Sequence, residues 1–431
     1  MDCYLKIIII LATEKIASTN SECWNLLWLY PKMWEEDYIP NQLLRHVCIN
    51  QEVEVHSFEN YSSSPLQFKP YIKEYSILVI RQYANDKYWH YVHNNAQFLE
   101  SFKENGIVKF AAILVGEESN PDDRKCTGHK FYDRLYRASP LIIRNYFTRD
   151  CLLRTNVLQV PLGATSPHHH TFLNILKETK SVQNRAYKWS FASTQITPIR
   201  VQFIQHMHRL IQSHPNIEYF LKFRKQAPYV NMTNLLLESV FGVCPEGGMY
   251  ETWRFYETLE RGAIPIINAT TLQYYYNLFL PCNISQHLVA TENPESILPV
   301  LLSNLDTLSY KREKLISAYN AWRDDYRKLV AQRINDIANI SMTGELSKEL
   351  NTEGKGYSSP TNHNRYGEEN GLLRITGLAL PWDYTSCHEN VLSGESNQKI
   401  DARKQSLNLI SVHGRRHKGR RNKLRNRVLL Y

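Results

Sequence analysis

The stretch Cys244 to Ile267, CPEGGMYETWRFYETLERGAIPII, most narrows what this chain can fold into. An apolar run, Val240 to Val243, ends at Cys244-Pro245 and leads into a glycine pair, Gly247-Gly248. A helical segment over Glu251 to Arg261 follows, and Gly262 closes it as a C′ glycine does. Ala263 to Ile267 then reads as a buried strand. Strand, glycine turn, helix, strand is the unit that holds phosphate groups in α/β proteins. The turn admits backbone N–H groups, and the helix N-terminus carries partial positive charge.

The polar residues of this helix fit an anionic ligand. Thr252 falls in its first turn, within reach of an anion. Arg254 and Glu257 share one face. Arg254 suits a diphosphate, because its planar fork makes two parallel charged hydrogen bonds. Glu257, one turn on, can accept from two ribose hydroxyls. A surface ion pair on an ordinary amphipathic helix is the competing reading. The adjoining glycines and the following strand favour the ligand.

The run ETWRFYETLERGAIPII resembles the donor-site signature of exostosin-type glycosyltransferases: a hydroxyl residue, an Arg, a Glu three later, then Gly-x-Ile-Pro-Val. It is also similar to the corresponding CP-x-G, YRIYEA, GSIPVV segment of ribitol xylosyltransferase. The resemblance implies a GT-B fold, two facing Rossmann-like domains, and a nucleotide-sugar donor such as a UDP-sugar. It places Arg254 on the diphosphate, Glu257 on the ribose, and Gly247, Gly248 and Thr252 along the phosphate side. Exostosin-like proteins also carry a Phe-x-Gly-Ser/Thr element. This chain keeps Phe191, Thr194 and Arg200 but has Ser193 at the glycine position, where a side chain can crowd the donor phosphate. Thr194 and Asn268, at strand ends, complete the expected donor set.

The first half alternates strands and helices. Glu52 to Phe58, Tyr75 to Ile80, Val108 to Val115, Leu141 to Ile143 and Val157 to Val160 read as strands, with Phe98 to Asn105 a short helix. VKFAAILV, Val108 to Val115, is a continuous apolar run of the kind buried in a parallel sheet. Ligands bind beyond the carboxyl ends of such strands, which marks Glu117 and Glu118. The ribitol xylosyltransferase likeness, LLGNE against Leu114 to Glu118, favours Glu118 as the base that takes a proton from an acceptor hydroxyl. A turn or helix cap is the alternative for both. Arg144, in an RNY element similar to one in exostosin-like proteins, is an acceptor-side or hinge candidate.

These patterns divide the chain into an acceptor-side domain over 1–165, a linker over 166–187, a donor domain over 188–340 and a tail over 341–431. In the second half, Trp189 to Ala192 and Tyr219 to Phe223 read as strands. Pro198 to Ile211 reads as a helix with Val201, Ile204 and Leu210 inward. Lys311 to Ile334 shows long helical periodicity, with Leu315, Ala318, Tyr319 and Trp322 as its buried stripe. In the family such a helix folds back on the first domain. The tail is rich in Gly, Ser, Asn and charge from Asn351 to Asn370, as disordered segments are.

Composition sets further limits. At 431 residues, with 43% hydrophobic content, the chain can bury two domain-sized cores. Much of the net charge of +9 lies in the tail run Arg415 to Arg427, which fits contact with a polyanion or an anionic membrane surface. That run lacks interleaved aromatics, so no specific nucleic-acid binding is expected. The 8 cysteines form no C-x-x-C and leave disulfides open. His168, His169 and His170 do not share a helical face and make a poor metal site. No Asp-x-Asp pair occurs, so a metal-independent site needing no cofactor beyond the nucleotide sugar is expected. Asn60, Asn231, Asn268, Asn283 and Asn339 begin N-x-S/T sequons. The N-terminal run IIIILA is too short for a membrane helix. It reads as a buried strand or a poor signal-peptide core, where the family usually carries an anchor.

Together these features point to an inverting glycosyltransferase. The resemblance implies that it moves xylose or another UDP-linked sugar to a glycan or glycoprotein hydroxyl in the Golgi or secretory lumen. A catalytically silent relative that binds sugar nucleotide or glycan is the alternative, as is a polyanion binder acting through the tail.

Overall fold

The apolar runs fold as two parallel sheets. A computed structural model describes residues 23–29, 38–54, 73–81, 89–115, 130–145, 147, 151, 154–164, 174–193, 197–223, 231–247 and 250–339. Glu117, Glu118, Thr194, Gly248, His168 to His170, the IIIILA run and the tail from Ser341 lie outside the described residues.

In the first half, β1 (Trp24–Trp28), β2 (Ile49–Glu54), β3 (Ser76–Arg81), β4 (Phe110–Val115), β5 (Leu141–Arg144) and β6 (Val157–Gln159) form a six-stranded sheet. Its order is β2-β1-β3-β4-β5-β6, and every pairing is parallel. Alternate residues bury on opposite faces, as a pleated strand requires. Leu26, Trp28, Ile77, Val79, Ala111 and Ile113 enter one core. Leu27, Leu78, Ile80, Ala112 and Leu114 enter a second. That second core also takes Phe98, Leu99, Phe102, Leu135 and Tyr136 from α1 (Trp89–Glu104) and α2 (Lys130–Ala138). The helix expected over Phe98 to Asn105 is therefore longer at its N-terminal end. A disulfide joins Cys23 to Cys48 at the starts of β1 and β2, and Cys151 and Cys282 are also disulfide-bonded.

After α3 (Ile175–Glu178), the second half builds a five-stranded parallel sheet from β7 (Tyr187–Ser193), β8 (Tyr219–Phe223), β9 (Ser239–Val243), β10 (Ile264–Ile267) and β11 (Val289–Ala290). Around it lie α4 (Pro198–Ser213), α5 (Met232–Leu237), α6 (Trp253–Glu260), α7 (Ala269–Tyr274), α8 (Cys282–Ser285) and α9 (Pro294–Leu302). α4 turns Phe203, Met207 and Leu210 inward. Of the stripe expected from the sequence, only Leu210 is fully buried, and Val201 and Ile204 sit at its margin. Gly242 lets α6 close on β9: a Cβ there would stand 2.4 Å from Thr258 Oγ1. Gly262, at φ +64, ends α6 as its position requires.

Both sheets belong to one compact unit. Their carboxyl ends meet. Phe147, just beyond β5, stacks on Phe279 with ring centroids 3.9 Å apart. Leu162, beyond β6, donates its N–H to Glu251, beyond β9, at 2.8 Å. The 34-residue α10 (Leu305–Ala338) then crosses back to the first sheet and packs against β4 and β5. Its Tyr326 hydroxyl bonds the Gln159 carbonyl, and Arg327 Nη2 donates to Gln42 Oε1 at 2.9 Å. These two facing parallel-sheet α/β domains, with a returning helix, are the architecture expected from the sequence. Among the described residues no helix is long and apolar enough to cross a membrane.

Candidate functional site

In sequence order from β7, the second sheet runs β8-β7-β9-β10-β11, or 2-1-3-4-5. The chain reverses direction of winding between β7 and β9, and open α/β sheets hold ligands in the crevice at such a switch point. One guanidinium spans this crevice. Arg200, from the first turn of α4, donates from Nη1 to Ser193 Oγ at the end of β7 (2.8 Å). Its Nε donates to the Glu246 carbonyl beyond β9 (3.0 Å). Thr197 caps α4 and accepts from Arg200 N at 3.3 Å, which fixes where that arginine starts. Ser193 thus serves as a hydrogen-bond acceptor for Arg200 within the crevice wall.

The motif helix α6 begins at the same edge. Thr252 is its N-cap, with the side chain accepting from Arg254 N at 3.3 Å, where the sequence placed it inside the first turn. Arg254 and Glu257 lie on one face, with Nη1 3.0 Å from Glu257 Oε2 and side-chain exposures of 22% and 13%. Neither is turned out into solvent. This contact is an ion pair without hydrogen-bond alignment, and Nη1 has no aligned acceptor among the described residues. Gly247 is half-buried in the turn that leads to the helix. Asn268, beyond β10, caps α7 by accepting from Thr270 N at 2.8 Å, and its Nδ2 donates to Glu292 Oε2 at 2.8 Å. The structure therefore gathers Gly247, Thr252, Arg254, Glu257 and Asn268 at the carboxyl edge of one sheet.

Cys244 is a structural member of this edge. Its Sγ contacts the Gly242 and Arg254 carbonyls and Thr258 Oγ1. Burial pushes the thiol up to about 12, so it holds its proton and is no nucleophile.

Arg144 lies in the first domain's interior. Its guanidinium donates from Nη1 to Tyr136 Oη at 2.5 Å and to Cys151 Sγ at 3.2 Å. The neighbouring Asn145 accepts from Tyr38 Oη at 3.2 Å, a contact within the same domain.

Sequence reasoning passed over Glu246, Glu251 and Glu292. Glu251 is fully buried and accepts from Leu162 N, Tyr256 Oη and Tyr275 Oη, and burial raises its pKa. Glu246 is pushed up to about 7, first by burial and then by the charge of Glu292. Glu292 follows a strand of only two residues, too short for any periodic signal.

No family model and no curated protein matches the chain. Solved structures do. One described as trehalose-6-phosphate from E. coli bound with UDP-2-fluoro glucose is 9% identical and covers 74% of this chain and 99% of that chain at a TM-score of 0.48. An α-glucosyltransferase in complex with UDP and a 13-mer DNA containing an HMU base is 9% identical and covers 72% and 100% at 0.42. A UDP-forming α,α-trehalose-phosphate synthase from Burkholderia xenovorans is 11% identical and covers 64% and 77% at 0.42. Likeness at this level carries nothing about this chain's own substrate or reaction.

Proposed function

We propose that this protein is an inverting, exostosin-like GT-B glycosyltransferase that takes a UDP-sugar donor in its second domain. The sugar, xylose or another UDP-linked sugar, goes to a glycan or glycoprotein hydroxyl bound against the first domain. The observation that carries this reading is the Arg254–Glu257 pair. Both groups are largely buried, on one face of a capped helix that starts at the carboxyl edge of a parallel sheet. The exostosin resemblance rests on the motif residues themselves.

In this reading Arg254 and the α6 N-terminus take the diphosphate, and Glu257 takes the ribose. Stabilising the departing UDP in that way lowers the barrier with the protein's own charges. Glu118, beyond β4, is the proposed base. One direct displacement inverts the anomeric centre, so a single base and a held leaving group suffice. The disulfides at Cys23–Cys48, Cys151 and Cys282 support an oxidising compartment such as the secretory lumen.

A thermal-shift panel of nucleotide sugars, followed by turnover assays on Arg254→Ala and Glu257→Ala, tests this. The expected result is stabilisation by UDP and one or more UDP-sugars, with turnover lost in both variants. Wild-type binding without turnover on any acceptor would favour the silent relative. No stabilisation by any nucleotide would end the reading.

A further inference from the structure

The N-x-S/T sequons have no role in the scheme above, and those at Asn231, Asn268, Asn283 and Asn339 fall on described asparagines. The fold treats these positions differently. Asn283, in the first turn of α8, and Asn339, which ends α10, are both exposed. Among the described residues neither side chain makes a hydrogen bond. Asn231 is exposed too. Its Oδ1 caps α5 by accepting from Asn234 N at 3.1 Å, and its Nδ2 has no partner among the described residues. Asn268 is the exception. It is half-buried directly beyond β10, its Nδ2 donates to Glu292 Oε2 at 2.8 Å, and its Oδ1 accepts from Thr270 N at 2.8 Å.

The cysteines carry an independent sign of the compartment. Cys23, Cys48, Cys151 and Cys282 are all disulfide-bonded, and Cys244, the free thiol among the described residues, is buried. Disulfides form and persist where the chain folds in an oxidising lumen, which is also where sequons meet lipid-linked oligosaccharide. Position matters as well as exposure. Asn339 follows the turns of α10 in which Arg333 donates to the Thr155 carbonyl, just ahead of β6 and so at the amino edge of the first sheet. Asn283 lies in α8, which leads into the amino end of β11. A glycan at either place stands clear of the carboxyl edges where the two sheets meet. A glycan on Asn268 would break the contact with Glu292 and stand at the carboxyl edge beside the motif helix.

We propose that Asn231, Asn283 and Asn339 are acceptor sites for N-linked oligosaccharide, and that Asn268 stays bare in the folded protein. In the modification, the asparagine Nδ2 forms a bond to the first sugar carbon of a lipid-diphosphate-linked oligosaccharide. The bond from that carbon to the diphosphate oxygen breaks, Nδ2 gives up a proton, and the lipid diphosphate departs. At Asn231 only Nδ2 is consumed, so Oδ1 keeps its cap on α5. This assignment rests on the compartment reading above and is independent of the donor site.

The test is site occupancy in the full chain, made behind a cleavable secretion leader in a eukaryotic host and purified as folded monomer. Peptide N-glycosidase in heavy-oxygen water converts each modified asparagine to labelled aspartate, which peptide mass spectrometry reads. The expected result is label at Asn231, Asn283 and Asn339 and none at Asn268. Thr233→Ala, Ser285→Ala and Ser341→Ala should each remove the label from the asparagine two residues earlier. Thr233→Ser should restore it at Asn231, which separates the sequon from any effect of residue 233 on folding. An unlabelled Asn231, Asn283 or Asn339 overturns the assignment at that position. Label on Asn268 overturns the claim that the fold excludes a glycan there. A secreted chain with its disulfides formed and no label anywhere overturns the whole proposal, and leaves the donor-site reading to its own binding assays.

Discussion

Glu251 accepts a hydrogen bond from the backbone N–H of Leu162 at 2.8 Å, across 89 residues of sequence. The residue just before the cap of the motif helix is thereby tied to the segment that leaves the first sheet. Tyr275 Oη donates to the same carboxylate at 2.6 Å and accepts from Phe147 N at 3.0 Å. The start of the motif helix and the junction of the two domains are one hydrogen-bonded unit.

Replacing Glu251 with Ala should therefore destabilise the protein strongly. Leu162 N–H and the Tyr256 and Tyr275 hydroxyls would lose a buried acceptor together. Leaving such groups unpaired costs ~2–4 kcal/mol in sum. The denaturant midpoint should fall accordingly, and Glu251→Gln, whose amide oxygen still accepts, should fall less. A midpoint for Glu251→Ala equal to that of wild type would mean that the junction opens in solution.

The far end of the motif helix is anchored by charge. Glu260 Oε2 lies 2.5 Å from Arg323 Nη1 on α10, and Tyr319 Oη donates to Oε1 at 2.9 Å. Burial, the largest single influence, would raise the Glu260 pKa, but Arg323, Arg327 and Tyr319 together outweigh it and hold the carboxyl below its usual 4.5. A carboxyl depressed in the folded state adds stability above its unfolded pKa. That stability is lost as pH falls through the folded value. Glu260→Gln should remove this acid dependence below about pH 4.5. It would also leave a buried guanidinium without its counter-charge, at a cost of ~3–5 kcal/mol at neutral pH. Stability measured from pH 3 to pH 7 on both proteins checks both expectations.

Much of the fold is legible because its cues are local. Phe110–Val115, Tyr219–Phe223 and Ile264–Ile267 are short apolar runs bounded by turns, and all three are strands. The motif helix ends at Gly262 because its only outlet is a left-handed residue. What the sequence conceals is relational. Trp24–Trp28 is a strand with no alternation to announce it, since a central parallel strand buries both faces. Val289–Ala290 pairs only because β10 lies beside it. Arg254 and Glu257 are found together because a helix brings them together. Arg200 meets Glu246 only once β7 and β9 are neighbours, and no window of sequence contains that adjacency.

Close approach of α6 to β9 depends on one missing methyl group. A Cβ on Gly242 would lie 2.4 Å from Thr258 Oγ1, 2.6 Å from Thr258 Cγ2 and 3.0 Å from Leu236 Cδ2. Thr258 is fully buried and its hydroxyl is held by the Arg254 carbonyl at 2.6 Å, so it cannot yield cheaply. Gly242→Ala should cost ~1–3 kcal/mol through overpacking. Because the displaced element carries Arg254 and Glu257, the same change should weaken UDP binding. The double variant Gly242→Ala, Thr258→Ser, which removes one of the two clashing atoms, should recover part of both losses.

Arginine at position 254 is a matter of geometry as well as charge. Its side chain is 22% exposed and its Nη1 has no aligned acceptor among the described residues. A diphosphate arriving at the α6 N-terminus would meet a planar fork able to form two parallel bonds, which a lysine ammonium cannot match. Arg254→Lys should keep the charge and the ion pair with Glu257. UDP affinity should nonetheless fall ~10-fold, the loss of one charge-assisted hydrogen bond of about 1.5 kcal/mol. The thermal midpoint without ligand should stay within ~2 °C, since lysine keeps the charge beside Glu257 and Nη1 gives up no aligned hydrogen bond. If lysine bound UDP as tightly as arginine, residue 254 would act as a point charge at most, and the bidentate contact assigned to it would be wrong.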